Sequence, residues 1–154
     1  AAAGVRVVNL RFGVVLTPAG GALAKMLPAF RLGLGGPIAR GTQYVSWIAL
    51  DDVLDAIGHA LATESLAGPI NVTAPHPVTS RELARTLGGV LRRPAVLPVP
   101  ALALRLVFGA ESAALLESGQ RVLPVRLLAS GFRFRFPEIH PALRHLLAAP
   151  GGGS

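Results

Sequence analysis

Four histidines, His59, His76, His140 and His145, are the side chains best suited to holding a metal or moving a proton near neutral pH. A zinc site needs them at short, fixed spacings beside carboxylates or thiolates. No H-E-x-x-H pattern occurs and cysteine is absent, so neither a metal site nor a thiolate nucleophile is expected. His59 and His145 fall on helical stretches and read as surface or boundary residues. No serine stands in a G-x-S-x-G elbow, which removes the usual hydrolase nucleophile. Gly33-Leu34-Gly35-Gly36-Pro37 superficially resembles a phosphate cradle. A dinucleotide turn, however, follows a strand, carries a third glycine and opens a helix. Here a helical stretch precedes the loop and a proline closes it, so the loop reads as structural or substrate-side.

One segment stands out: Gly41 to Asp52, a turn, a strand and two acids that open an amphipathic helix. Asp51 and Asp52 can cap free amides and favour the positive end of the helix dipole. Val53, Leu54, Ile57, Ala60 and Leu61 are expected on its apolar face. Around this segment the elements alternate. Val5–Leu10 suits a buried strand, and its position so near the first residue suggests an element upstream. Ala22–Phe30 reads as a helix, Gln43–Leu50 as a strand and Ile70–Thr73 as another short strand. Thr79 with Glu82 forms a capping box ahead of a helix that ends before Arg93-Pro94, with Val78 and Leu83 placed as a hydrophobic staple. Helical stretches follow at Ala101–Phe108, Glu111–Gly119, from Pro124 to Gly131 and near Pro141–Leu147. The expected organisation is a strand–helix unit over residues 1–75, a mainly helical unit over 76–148 and a flexible tail over 149–154.

Composition bounds the partners. The net charge is +7, and 14 of the 15 basic residues are arginine, Lys25 being the single lysine. The arginines are scattered and no aromatic pair is interleaved with them, so the footprint of a nucleic-acid surface is missing. Ala101–Leu116, the longest apolar stretch, is broken by Arg105 and Glu111 and is too short to span a bilayer. Nothing at the start has signal-peptide architecture, and a cysteine-free chain fits a reducing cytoplasm.

The order of motifs carries a resemblance. Asn9-Leu10-Arg11-Phe12-Gly13-Val14 is followed by Gly41–Asp52 and then by Gly68-Pro69-Ile70-Asn71-Val72. This succession resembles the latter half of extended short-chain dehydrogenase/reductases, the NAD-dependent epimerase/dehydratase family. The family runs from an "LRxGxV" strand through a "GxQ" strand ending in "DD" to a "G…xNV" strand. Arg93–Pro100, Gln120–Pro124 and Gly131–Phe134 resemble an atypical branch with a DUF1731-type C-terminal region. The resemblance covers nearly everything from Val5 to Leu147.

It implies an α/β fold: the last strands of a Rossmann-like sheet, then a mainly helical substrate-side domain. It also implies that the longer parent uses NAD(P). The family's catalytic Tyr-x-x-x-Lys has no counterpart here, because the single tyrosine, Tyr44, has Ile48 four residues on and Lys25 precedes it. No catalytic residue and no tight cofactor binding are therefore expected of this chain. Phe12 and Gly13 would lie beside the cofactor, while Arg11, Gln43, Ser46 and Trp47 would face a small-molecule substrate. Leu23–Phe30 and Gly33–Arg40 would wall that site, with Arg31 and Arg40 able to meet an anionic group. Sugar-nucleotide epimerases commonly carry "QxRD" and an asparagine where this chain has Val45 and Val14, which argues against a nucleoside-diphosphate sugar. The alternative is a non-enzymatic binding or self-association module that uses an exposed sheet edge or helical faces.

Overall fold

The computed structural model describes residues 4–148, so the expected tail at 149–154 lies outside the described residues. Its central feature is a strand that changes neighbours. β1 (Val8–Phe12) runs parallel to β5 (Gly68–Val72), with Val8 opposite Gly68 and Phe12 opposite Val72. One residue later the same chain continues as β2 (Val14–Leu16), now parallel to β4 (Trp47–Ala49). Gly13 is the pivot: its amide donates to the Val72 carbonyl at 3.3 Å, and the next amide, of Val14, donates to the Ser46 carbonyl at 2.7 Å. A Cβ at position 13 would overlap that Ser46 oxygen, so only glycine fits the crossing.

The strands are short but covered on both faces, as parallel strands require. Along β2 and β4 the side chains alternate. Leu16, Trp47 and Ala49 join one apolar cluster, while Val15 and Ile48 join another. The first cluster is closed by α1 (Gly21–Arg31), α3 (Ser80–Leu91) and α7 (Ile139–Ala148), through Leu23, Leu27, Leu83, Leu87, Leu143 and Leu146. The second is closed by α2 (Leu50–Ala62) and α6 (Val125–Ala129), through Val53, Ala56, Ala60 and Leu127. Residues from both sides of residue 75 thus share one core. β3 (Tyr44–Val45) crosses the same line by pairing antiparallel with β6 (Val78–Thr79). A third, small cluster of Ile38, Leu104 and Ala113 anchors α4 (Ala101–Phe108) and α5 (Ala110–Ser118).

The helical second half agrees with the sequence expectation, and several local details differ. The first strand starts at Val8 rather than Val5 and extends to Phe12, because its register is set by β5. Gln43–Leu50 is not one strand: it breaks at Ser46 into β3 and β4, which belong to different ladders. α2 begins at Leu50 with Ala49 at its N-cap and no capping side chain. Asp51 and Asp52 sit in its first turn, where they still favour the dipole. Leu54 and Leu61 are 62% and 75% exposed, so the apolar face of α2 is narrower than expected.

Asp52 has a different task from capping. It is fully buried, and its two carboxylate oxygens accept the backbone amides of Arg135 and Phe136 at 2.8 and 3.0 Å. This clamp holds the segment that leads into α7. Burial pushes the Asp52 carboxyl above its ordinary value, and the two amides offset only part of that push. Nearby, His145 bonds Asp51 at 2.7 Å with its ring stacked on Phe136. The Thr79 cap is realised as expected: its hydroxyl accepts the Glu82 amide at 3.2 Å, and Val78 and Leu83 are both buried beneath it.

Candidate functional site

A cleft of about 590 Å³ opens where the strand changes neighbours. In open parallel sheets, ligands bind beyond the carboxyl ends of strands at such switch points. Here β1 delivers Arg11 and Phe12, β5 delivers Asn71 and then Thr73, and the β3–β4 corner delivers Tyr44, Val45 and Ser46. The opposite wall is the segment Leu116 to Val122 that leaves α5.

The corner is fixed by hydrogen bonds. The Ser46 hydroxyl donates to the Gln120 carbonyl at 2.6 Å and accepts the Val122 amide at 2.9 Å. Thr73 reaches the Val122 carbonyl at 3.4 Å, and the Gln43 amide donates to the carbonyls of Ile38 at 2.9 Å and Leu116 at 3.4 Å. Gly119, at φ 63°, presses on Gln43 and the Tyr44 carbonyl where a Cβ would not fit. The far wall is therefore stapled to the strands.

The groups left to meet a ligand are few. Among the described residues, Arg11 is the only charged side chain lining the cleft, and no carboxylate lines it. Tyr44 is 40% exposed, with the Arg121 guanidinium 5.5 Å from its ring centroid. Lys25 lies elsewhere, its ammonium over the Phe108 ring, so no lysine stands beside the Tyr44 phenol. Among the described residues no three His, Asp or Glu side chains gather as a metal site would require.

The expected site residues separate into groups. Arg11, Phe12, Gly13 and Ser46 come together in the cleft. Gln43 lies directly behind it, tying two walls. Trp47 is fully buried and its indole N–H donates to the His76 carbonyl at 3.0 Å, so it supports the strand from below. Arg31 and Arg40 are exposed and line no part of the cleft; the structure uses their carbonyls, which accept from Arg93 and Arg81. Asn71, Thr73 and the 116–122 wall escaped residue-level assignment. Asn71 lay within the quoted "xNV" motif and Gln120 within the "QRVLP" motif, which were the available signals.

A nicotinamide dinucleotide needs a glycine-rich turn between a strand and a helix to cradle its pyrophosphate. Gly20-Gly21, between β2 and α1, is paired but lacks the third glycine and does not line the cleft. The described residues therefore fit the wall beside such a cofactor and not its phosphates.

Residues 99–146 match the family model described as a domain of unknown function, DUF1731. The epimerase family protein SDR39U1 of Bos taurus is 46% identical over 144 residues, covering 93% of this chain and 49% of the relative. The epimerase family protein Mb2239 of Mycobacterium bovis is 43% identical over 148 residues, covering 96% and 49%. The chain thus spans about half the length of the curated relatives it matches. Among solved structures, human epimerase family protein SDR39U1 (isoform 2) with NADPH superposes with a TM-score of 0.88 at 42% identity, over 94% of this chain and 49% of that one. Thermus thermophilus UDP-glucose 4-epimerase in complex with NAD gives 0.61 at 27%, over 97% and 49%. No helix among the described residues is long and apolar enough to cross a membrane. The chain corresponds to the C-terminal portion of an epimerase-family protein of the extended short-chain dehydrogenase/reductase type, with a Rossmann-like fold.

Proposed function

We propose that this chain is the substrate-side part of an NAD(P)-dependent oxidoreductase or epimerase-like protein, and that it performs no hydride transfer by itself. The observation that carries the reading is the cleft at Gly13, where three strand ends converge beside Arg11, the one charged side chain among the described lining residues, and no lysine accompanies the tyrosine. In this reading Phe12 and Gly13 flank the nicotinamide end of a cofactor whose phosphates other residues hold. Arg11 and Asn71 meet the substrate, Arg11 through a charge-assisted hydrogen bond to an anionic or strongly polar group. Ser46 and Gln43 act as positioning residues, holding the Leu116–Val122 wall at the right separation from β1. Arg31 and Arg40 would reach a substrate only if it extended out of the cleft toward α1 and α3. A reducing compartment such as the cytoplasm suits a cysteine-free protein of this kind.

Titration of NADPH and of NADH into the purified chain tests this reading. We expect no binding tighter than about millimolar, because the helix N-terminus that would take the pyrophosphate lacks its glycine turn. Micromolar affinity for either nucleotide would overturn the proposal.

A further inference from the structure

A second concavity lies between α1 and α4, against Ile38 and Leu104 of the small cluster. It is a groove of about 200 Å³ whose floor is Phe30, Ile38 and Leu104, all buried. Its walls include Met26, Leu34 and Val107, and the last two are 58% and 50% exposed. Among the described residues, the lining holds one charged residue, Lys25, and no other side chain with a strong hydrogen-bonding group. Two prolines of the rim, Pro98 and Pro100, have no amide to offer, and the amide of Val99 between them is already given to the Pro37 carbonyl at 2.9 Å. The Lys25 ammonium sits 5.5 Å from the Phe108 ring centroid at the groove's edge, with no carboxylate partner among the described residues.

An apolar trough with one cation at its mouth selects an amphiphile with one negative charge. We propose that this groove binds a short aliphatic carboxylate, its tail on Phe30, Leu34 and Val107 and its carboxylate at Lys25. Size sets the length. At about 30 Å³ for each water-sized group, the groove takes roughly seven non-hydrogen atoms, the tail of an eight-carbon acid. A phosphate monoester is a poorer match, because a dianion needs several donors and the rim supplies only the ammonium. A groove of this volume admits a small molecule and not the body of a helix, which is about 10 Å across. The site is independent of the cleft: it shares no lining residue with it.

Met26 lines the groove and is the only methionine, so it provides a single reporter. The chain is labelled with 13C at the methionine methyl and titrated with sodium octanoate and with 1-octanol, followed by NMR. The expected result is a saturable shift of the one methyl signal, half complete below about 1 mM octanoate, with octanol roughly tenfold weaker. Lys25→Gln removes an exposed charge without touching the core and should weaken octanoate roughly tenfold while leaving octanol unchanged. Val107→Glu, also at an exposed position, should abolish octanoate binding by placing a like charge in the trough. No shift at 10-fold higher octanoate than this half-saturation estimate, equal affinity for the alcohol, or indifference to Lys25→Gln would each overturn the proposal.

Discussion

The pair α3–α7 and the pair α4–α5 both place leucine and alanine at their buried positions, yet they behave as different materials. α3 and α7 bury Leu83, Ala84 and Leu87 against Ala142, Leu143 and Leu146, inside the cluster that includes Trp47 and Leu16 of the strands. Among the described residues, α4 and α5 bury Leu104 and Ala113, with Ile38 from the preceding loop, and leave Leu102 and Leu106 at 68% and 78% exposure. The buried side chains are of the same kinds; what differs is whether the strands lie beneath. A helix pair seated on the sheet spends its apolar residues on the core. A pair beside the sheet retains them at the surface, and both concavities border that second pair.

The contrast can be broken most directly by truncation. Leu143→Ala should destabilise the protein by about 3–4 kcal/mol, because a wholly enclosed leucine leaves a cavity that its neighbours cannot fill. Leu104→Ala, equally buried but in the small cluster, should cost about 2 kcal/mol, the low end for such a change, since α4 can settle into the space. Equal costs in urea denaturation would erase the distinction.

A second test concerns the clamp that seats α7. Asp52→Asn leaves one of the amides of Arg135 and Phe136 without its acceptor and should cost about 2 kcal/mol at pH 4. The pH dependence has a definite sign. Burial raises the folded-state carboxyl above its ordinary value of 3.8, so Asp52 holds its proton more tightly folded than unfolded. Its contribution is fully present below that value and declines as pH rises through the raised folded one. The amide variant does not titrate, so the gap between the two proteins should narrow from pH 4 to pH 7. A gap that widens would mean that the two amide hydrogen bonds outweigh desolvation. The smallest effect is expected at the surface of the looser pair. Leu106→Ser should change stability by less than about 0.5 kcal/mol, and a loss above 1 kcal/mol would show that α4 is covered by something in solution.

Much of this architecture was legible in the sequence for local reasons. The Thr79–Glu82 box, the break before Pro94 and the helix at Ala101–Phe108 depend on residues a few positions apart, and they stand where their spacing put them. The failures were all non-local. Gln43–Leu50 has a continuous strand pattern, and it is split because the Ser46 carbonyl serves Val14, thirty-odd residues earlier in the chain. Asp52 has the position of a helix-initiating acid, and its actual partners come from the far end of the sequence. In the cleft, Arg11, Phe12, Gly13 and Ser46 were legible through motif order. Trp47 was not, because whether a strand residue faces a cleft or the core depends on where the strand breaks.

The pivot at Gly13 has a consequence for how the gene can change. Every single-base change of a glycine codon that alters the protein gives a stop or a residue that carries a Cβ, and any Cβ here collides with the Ser46 carbonyl. Neutral drift is therefore closed at this codon. Escape would need a compensating shift of the β3–β4 corner, a backbone change that no second point mutation readily supplies. Mutational libraries of this protein should return position 13 as glycine in every surviving clone, whatever activity is selected.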